Sequence, residues 1–134
     1  MRSSRIILVL ALSLIPAAHA ATPMAASLRM TIDGLTPAGG TLRIGLYDEP
    51  TFPIAGGMAL RTQDVAKAAA TATVTFAGLP PGAYALKALQ DVNNDGRAED
   101  GEPQGVSNGA KPEDFDTAAI VLHPGDNAAV IHLH

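Results

Sequence analysis

The sequence predicts an all-β domain: an antiparallel β-sandwich of about six to seven short strands with one long acidic loop. Three observations point there. Apolar and polar residues alternate with period two in segment after segment, as in strands with one buried face. Turns rich in Gly and Pro separate these segments at the short spacing typical of sandwiches. The sequence lacks the strand–helix alternation of a doubly wound sheet. At 134 residues and 47% hydrophobic content, the chain is one domain with one modest core, and it is too apolar to be intrinsically disordered.

Residues 1–20 read as an address rather than as part of the fold. Arg2 and Arg5 form a positive start, and residues 6–15 are apolar except for Ser13. Pro16 breaks the run, and Ala18-His19-Ala20 supplies the small residues read by signal peptidase. This is a secretory signal peptide with cleavage expected after Ala20. The apolar run is shorter than the roughly 20 residues needed to span a bilayer. With no Cys in the sequence, a lipid-modified N-terminal Cys is not expected. The expected product is periplasmic or secreted, with no membrane insertion. Its 114 residues have neither a disulfide nor a thiol, so folding rests on burial alone.

Residues 21–27 form an N-terminal extension, and a single sandwich domain is expected over 28–134. In the first strand, Leu28, Met30 and Ile32 alternate with Arg29, Thr31 and Asp33. Residues 34–40 carry turn chemistry, and Leu42, Ile44 and Leu46 mark a second strand that reads as the other arm of a hairpin. The pattern weakens from 48 to about 70. There the Ala-rich stretch 64–72 suggests a helical turn or two, or else an irregular loop. Ala72, Val74 and Phe76 mark the next strand. Gly78-Leu79-Pro80-Pro81-Gly82 is a strong turn signal, and Tyr84, Leu86 and Ala88 share one face beyond it. After a polar stretch over 91–116, residues 118–123 and 128–134 read as a closing pair of strands around the turn 124–127.

The charge is concentrated in one place. Residues 91–116 hold eight acids against Arg97 and Lys111, a net of −6, and the rest of the mature chain sums to zero. Such an acidic balance argues against nucleic acid and anionic membranes as partners, since both require a basic footprint. A 26-residue connection is far longer than the usual median of about 4–6, and loops of that length are commonly functional.

The opening of this loop, Asp91-Val92-Asn93-Asn94-Asp95-Gly96-Arg97-Ala98-Glu99-Asp100-Gly101-Glu102, fits the calcium-loop pattern D-x-[DN]-x-[DN]-G-x5-E. Oxygens at alternate positions converge as the chain coils, and calcium takes six to eight of them. The expected ligands are Asp91, Asn93, Asp95, the Arg97 carbonyl and Glu102, with Glu99 acting through water. Asp, Asn and Gly are also what solvated turns prefer, so an unmetallated acidic turn remains the competing reading.

Other chemistry is weaker. His123, His132 and His134 do not make a zinc site on this reading. A hairpin around 124–127 would place His132 opposite about Ala119, leaving His123 some ~13 Å away along the strand. The mature chain has only Ser27 and Ser107 as serine hydroxyls, and neither lies in a strand–elbow–helix setting. No nucleophile–base pair is visible, so a non-catalytic protein is expected.

Several blocks resemble one family. Residues 28–34 with Gly40-Thr41-Leu42-Arg43-Ile44-Gly45-Leu46-Tyr47 resemble its opening hairpin. Val74-Thr75-Phe76-Ala77-Gly78-Leu79-Pro80-Pro81-Gly82-Ala83-Tyr84-Ala85 is similar to its most specific block. Asp91-Val92-Asn93-Asn94-Asp95-Gly96 and Val106-Ser107-Asn108 match its acidic and Ser-Asn segments. The family is the short secreted bacterial proteins of domain-of-unknown-function family 2141, and the resemblance spans nearly all of 28–134. The Gly-Leu-Pro-Pro-Gly-x-Tyr block also occurs in transthyretin-like and carboxypeptidase regulatory-like domains. The resemblance therefore implies an immunoglobulin-like or transthyretin-like sandwich, and it implies no activity. Arg97, Ala98 and Glu99 stand where the family has lysine, leucine and aspartate, and Val106 stands in place of an aromatic.

The expected function is that of an accessory or binding protein for an unknown protein or small ligand, with the acidic loop as working surface, ordered by calcium. One alternative is a structural partner in an envelope assembly with no metal. A remoter one is a hydrolase that uses loop carboxylates.

Overall fold

A computed structural model describes residues 24–52, 58–66 and 70–134. The expected signal peptide and residues 21–23 of the extension lie outside the described residues. Eight strands are described: β1 (Ala26–Asp33), β2 (Thr41–Tyr47), β3 (Arg61–Ala66), β4 (Ala72–Leu79), β5 (Gly82–Asp91), β6 (Gln104–Val106), β7 (Ile120–Leu122) and β8 (Gly125–His132). A 3₁₀ turn at Ser107–Gly109 and a one-turn helix α1 (Phe115–Ala118) sit between β6 and β7. A three-stranded sheet in the order β4-β1-β8 packs on a five-stranded sheet in the order β3-β2-β5-β6, with β7 also pairing with β5. The all-β sandwich expected from the sequence is the architecture.

Alternation sets which residues face inward. Leu28, Met30 and Ile32 of β1 meet Leu42, Ile44 and Leu46 of β2, all buried to within 1% exposure. Val74, Phe76, Tyr84 and Leu86 join the same core, and the Tyr84 hydroxyl donates to the Pro80 carbonyl at 2.7 Å. Each such side chain contributes about 1.5–3 kcal/mol by leaving water, which makes a polar residue on this face costly. Gln90 is the exception on the inward face of β5. It is 1% exposed and fully hydrogen-bonded to the backbone of the 34–40 segment.

The strand pairing differs from the sequence expectation in three places. The β1–β2 hairpin does not form, because the two strands lie in different sheets and residues 34–40 cross between them. Gly40 is needed for that crossing: at φ +85°, a Cβ there would meet the Asp91 carbonyl oxygen at 2.1 Å. The expected closing hairpin is likewise replaced. β7 pairs with β5, Tyr84 opposite Ile120, and β8 runs parallel to β1, the one parallel pairing among the described strands. His132 therefore lies opposite Asp33, and its Nδ1 meets Asp33 Oδ1 at 2.5 Å. Residues 61–66 form β3 where a helical turn or a loop was expected; residues 67–69 lie outside the described residues.

β3 is hard to see in the sequence because, of its inward side chains, only Val65 packs against the core. Arg61 donates to the Ala77 carbonyl at 2.9 Å, and Gln63 donates to the Thr75 carbonyl. Two long side chains thus reach the β4 edge of the facing sheet and close that side of the sandwich. Backbone bonds close the other side, where Gln104 and His134 exchange N–H···O contacts at 3.2 and 3.1 Å.

Candidate functional site

The outward face of the five-stranded sheet is where the acidic loop, the charged strand residues and a large groove come together. Register fixes the floor. Starting from the loop end, Arg43 lies opposite Leu89, Gly45 opposite Lys87 and Tyr47 opposite Ala85. Gly45 leaves room for an aromatic ring, since a Cβ there would sit 2.8 Å from the Tyr47 ring. Residues 107–118 cover part of this face and build a second apolar cluster of Phe52, Ala85 and Ala118, flanked by Tyr47, Val106 and Phe115. Phe52 packs edge-on against both Tyr47 and Phe115, with centroids 6.1 and 5.7 Å apart.

Ser107 holds that covering segment in place. Its buried hydroxyl donates to the Ala118 carbonyl at 2.6 Å and accepts from the Leu86 N–H at 3.0 Å. Both bonds are structural. Asn108 adds two donations from Nδ2, to the Thr117 and Ala119 carbonyls.

The six residues expected to ligate calcium form one connected set. Asp91 is fully buried at the end of β5. Its Oδ2 accepts from Arg43 Nε at 2.7 Å and from the Gly96 N–H at 2.8 Å, while Oδ1 accepts from the Asp95 N–H at 3.1 Å. Asn93 Oδ1 accepts from that same Asp95 amide at 3.1 Å, so Asp91 and Asn93 converge on a backbone donor. Asp95 in turn accepts from the Arg97 N–H at 2.8 Å. Glu102 closes the loop, accepting from the Val92 and Glu99 N–H groups at 2.8 and 3.2 Å. Among the described residues, no group of three or more His, Cys, Asp or Glu is placed to hold a metal ion.

The electrostatics divide the loop in two. The Arg43 hydrogen bond, assisted by the Gly96 and Asp95 amides, holds the Asp91 carboxyl below its usual range against the opposing effect of burial. Glu99 is shifted the other way. The Asp95 carboxylate beside it pushes its pKa up, and Glu102 adds to the effect. The base of the loop is therefore neutralised by Arg43, while its tip carries acids that repel one another. Sequence reading missed Arg43 because it lies on another strand, 48 residues from Asp91. It also bridges sideways to Asp64 of β3 at 2.9 Å, joining loop, floor and edge strand.

The groove above this floor has a volume of about 980 Å³. β3 and the residues just before it form one wall, β6 with Ala110 and Pro112 forms the other, and Gly96 and Ala98 of the loop close one end. Lys87 stands on the floor, its Nζ donating to the Phe52 carbonyl at 2.7 Å and lying 4.3 Å from the Phe52 ring centroid and 5.2 Å from that of Tyr47. The signal for it in the sequence was slight: one lysine in an otherwise apolar strand segment.

No curated protein and no solved structure matches the chain. A family model does, over residues 30–130, the greater part of the sandwich from β1 into β8. The chain belongs to that family, described as uncharacterized protein conserved in bacteria (DUF2141).

Proposed function

We propose that this protein is a non-catalytic binding module of the periplasm or extracellular space, with the outward face of the five-stranded sheet as its working surface and the acidic loop as one rim. The observation that carries this reading is the groove. Its volume of about 980 Å³ falls within the range of small-ligand sites, and its apolar lining is interrupted by a few fixed polar groups. The loop that closes its end is tied to the floor through Arg43 and Asp91, so the rim is held in position. Arg43, Asp64, Lys87 and Arg61 in its lining are engaged with one another or with backbone carbonyls, which fixes their positions for recognition.

The test is an amide-shift NMR screen of the exported protein, whose first residue should be Ala21, against organic acids, sugars and short peptides. Ligands should shift the amides of Tyr47, Leu89, Gln104 and Ala98 together, and Leu89→Glu should abolish the response. Shifts confined to Arg29, Thr31 and Thr75 on the opposite sheet would overturn the reading.

A second reading keeps calcium at the loop tip, with Asp91, Asn93, Asp95, the Arg97 carbonyl, Glu99 and Glu102 as its ligands. What favours it is the mutual repulsion of Asp95, Glu99 and Glu102, which a divalent ion would relieve. On this reading the metal stiffens the rim and supplies no chemistry.

A further inference from the structure

We propose that Lys87 is the anion anchor of a subsite for a monoanionic amphiphile, such as an organic carboxylate with an aliphatic body that lies along Tyr47, Leu60 and Met58. The inference rests on the reading of this face as the working surface and names its ligand class.

The first support is charge. Arg43 is already matched by two carboxylates, Asp91 and Asp64. Lys87 has no carboxylate within ion-pair distance among the described residues, and segments 1–23, 53–57 and 67–69 contain no Asp or Glu that might supply one. Its ammonium is held by one carbonyl and two aromatic rings, which fix its position while leaving its charge unbalanced. Burial lowers its pKa, with only Glu113 acting in the opposite direction. An incoming anion would restore the missing counter-charge.

The second support is where the apolar surface lies. Leu46 pairs with Arg61, so Leu60 lies beside the Tyr47 end of β2, two register positions beyond Arg43 and away from the loop. Met58 and Leu60 are two of the five exposed large apolar side chains described, at 87% and 47%. An aliphatic body lying toward them leaves its anion on Lys87. The acidic loop begins at Asp91, four residues away in the other direction and roughly 13 Å along the strand, so an anion on Lys87 stays clear of it.

The experiment is an NMR titration of the mature protein with octanoate and, separately, with octylammonium. Octanoate should shift the Tyr47, Leu60 and Lys87 amides saturably and bind about tenfold tighter than octylammonium. Lys87→Met should weaken octanoate about tenfold, the worth of one charge-assisted hydrogen bond, while Lys87→Arg should retain it. Should Lys87→Met fail to fold, Leu60→Asp at the exposed rim provides the same check, because a carboxylate in the path of the body should abolish octanoate binding. Octanoate affinity unchanged in these variants, or octylammonium binding as tightly, would overturn the inference. Groove shifts with peptides or sugars but not octanoate would overturn it while leaving the binding face intact. Silence of the groove toward every probe would overturn both.

Discussion

Gln90→Leu isolates the one polar side chain on the inward face of β5. Gln90 Oε1 accepts from the Thr36 N–H at 2.8 Å and from the Thr36 hydroxyl at 3.3 Å, while Nε2 donates to the Thr36 and Gly39 carbonyls at 2.9 and 2.8 Å. Leucine preserves the volume and the alternation but leaves those groups without partners. The three short bonds, at about 1 kcal/mol net each, set a loss of about 3 kcal/mol. Burying leucine in place of the amide returns about 1 kcal/mol of that. The expected net loss is about 2 kcal/mol, a Tm drop of about 6–12 °C for a domain of this size. Urea unfolding should show a lower midpoint with an unchanged slope, and amide exchange at Thr36 should accelerate. A variant as stable as wild type, or one with unaltered Thr36 exchange, would refute the idea that Gln90 holds the 34–40 crossing.

Three further outcomes follow from the same structure. Phe76→Ala, at a position 2% exposed, should cost about 3–5 kcal/mol in chemical denaturation, and a loss below about 1 kcal/mol would contradict its place in the core. Stability should pass through a shallow maximum on the acid side. Glu99, raised by Asp95, imposes a penalty above its folded pKa that fades as it takes up a proton; Asp91 and Asp114 are depressed by Arg43 and by Thr117, and their contribution is lost as pH falls below about 4. A Tm–pH scan should show this shape, flattened on its upper side by Glu99→Gln; a monotonic curve identical in the variant would count against it. Millimolar calcium, at ten times a dissociation constant of about 10⁻⁴–10⁻³ M, should stabilise the fold by about 1.4 kcal/mol, more than magnesium does, and Asp95→Ala should remove the gain. An equal response to both ions, unchanged in the variant, would mean only screening of an acidic surface.

What was legible in the sequence is local, and what was not is long-range. Leu28, Met30 and Ile32 declare an inward face through their own spacing, as do Val74 with Phe76 and Tyr84 with Leu86, because a strand's two faces are fixed by period two alone. Partner choice carries no such mark. Nothing in residues 34–40 distinguishes a hairpin turn from a crossing between sheets; the distinction lies in Gly40 meeting the Asp91 carbonyl, a contact made fifty residues later. β3 escaped notice because Arg61 and Gln63 work as side-chain ties to β4 rather than as core residues. The acidic loop stood out by composition and spacing, yet its anchor, Arg43, looked like any outward-facing strand residue.

That anchor explains how so much like charge is tolerated in one connection. A buried carboxylate without a partner is strongly destabilising, and Asp91 escapes that fate only because a guanidinium and two amides face it. Asp95, Glu99 and Asp100 stay exposed, where water screens them, and Asp95 and the half-buried Glu102 spend their oxygens on the loop's own N–H groups. Arg43 therefore serves two structures at once. It neutralises the base of the loop, and through Asp64 it fixes the β3 wall of the groove. An event that draws Asp91 away from Arg43, whether a proton or a metal, frees the base of the loop, while the β2–β3 ladder still holds the wall.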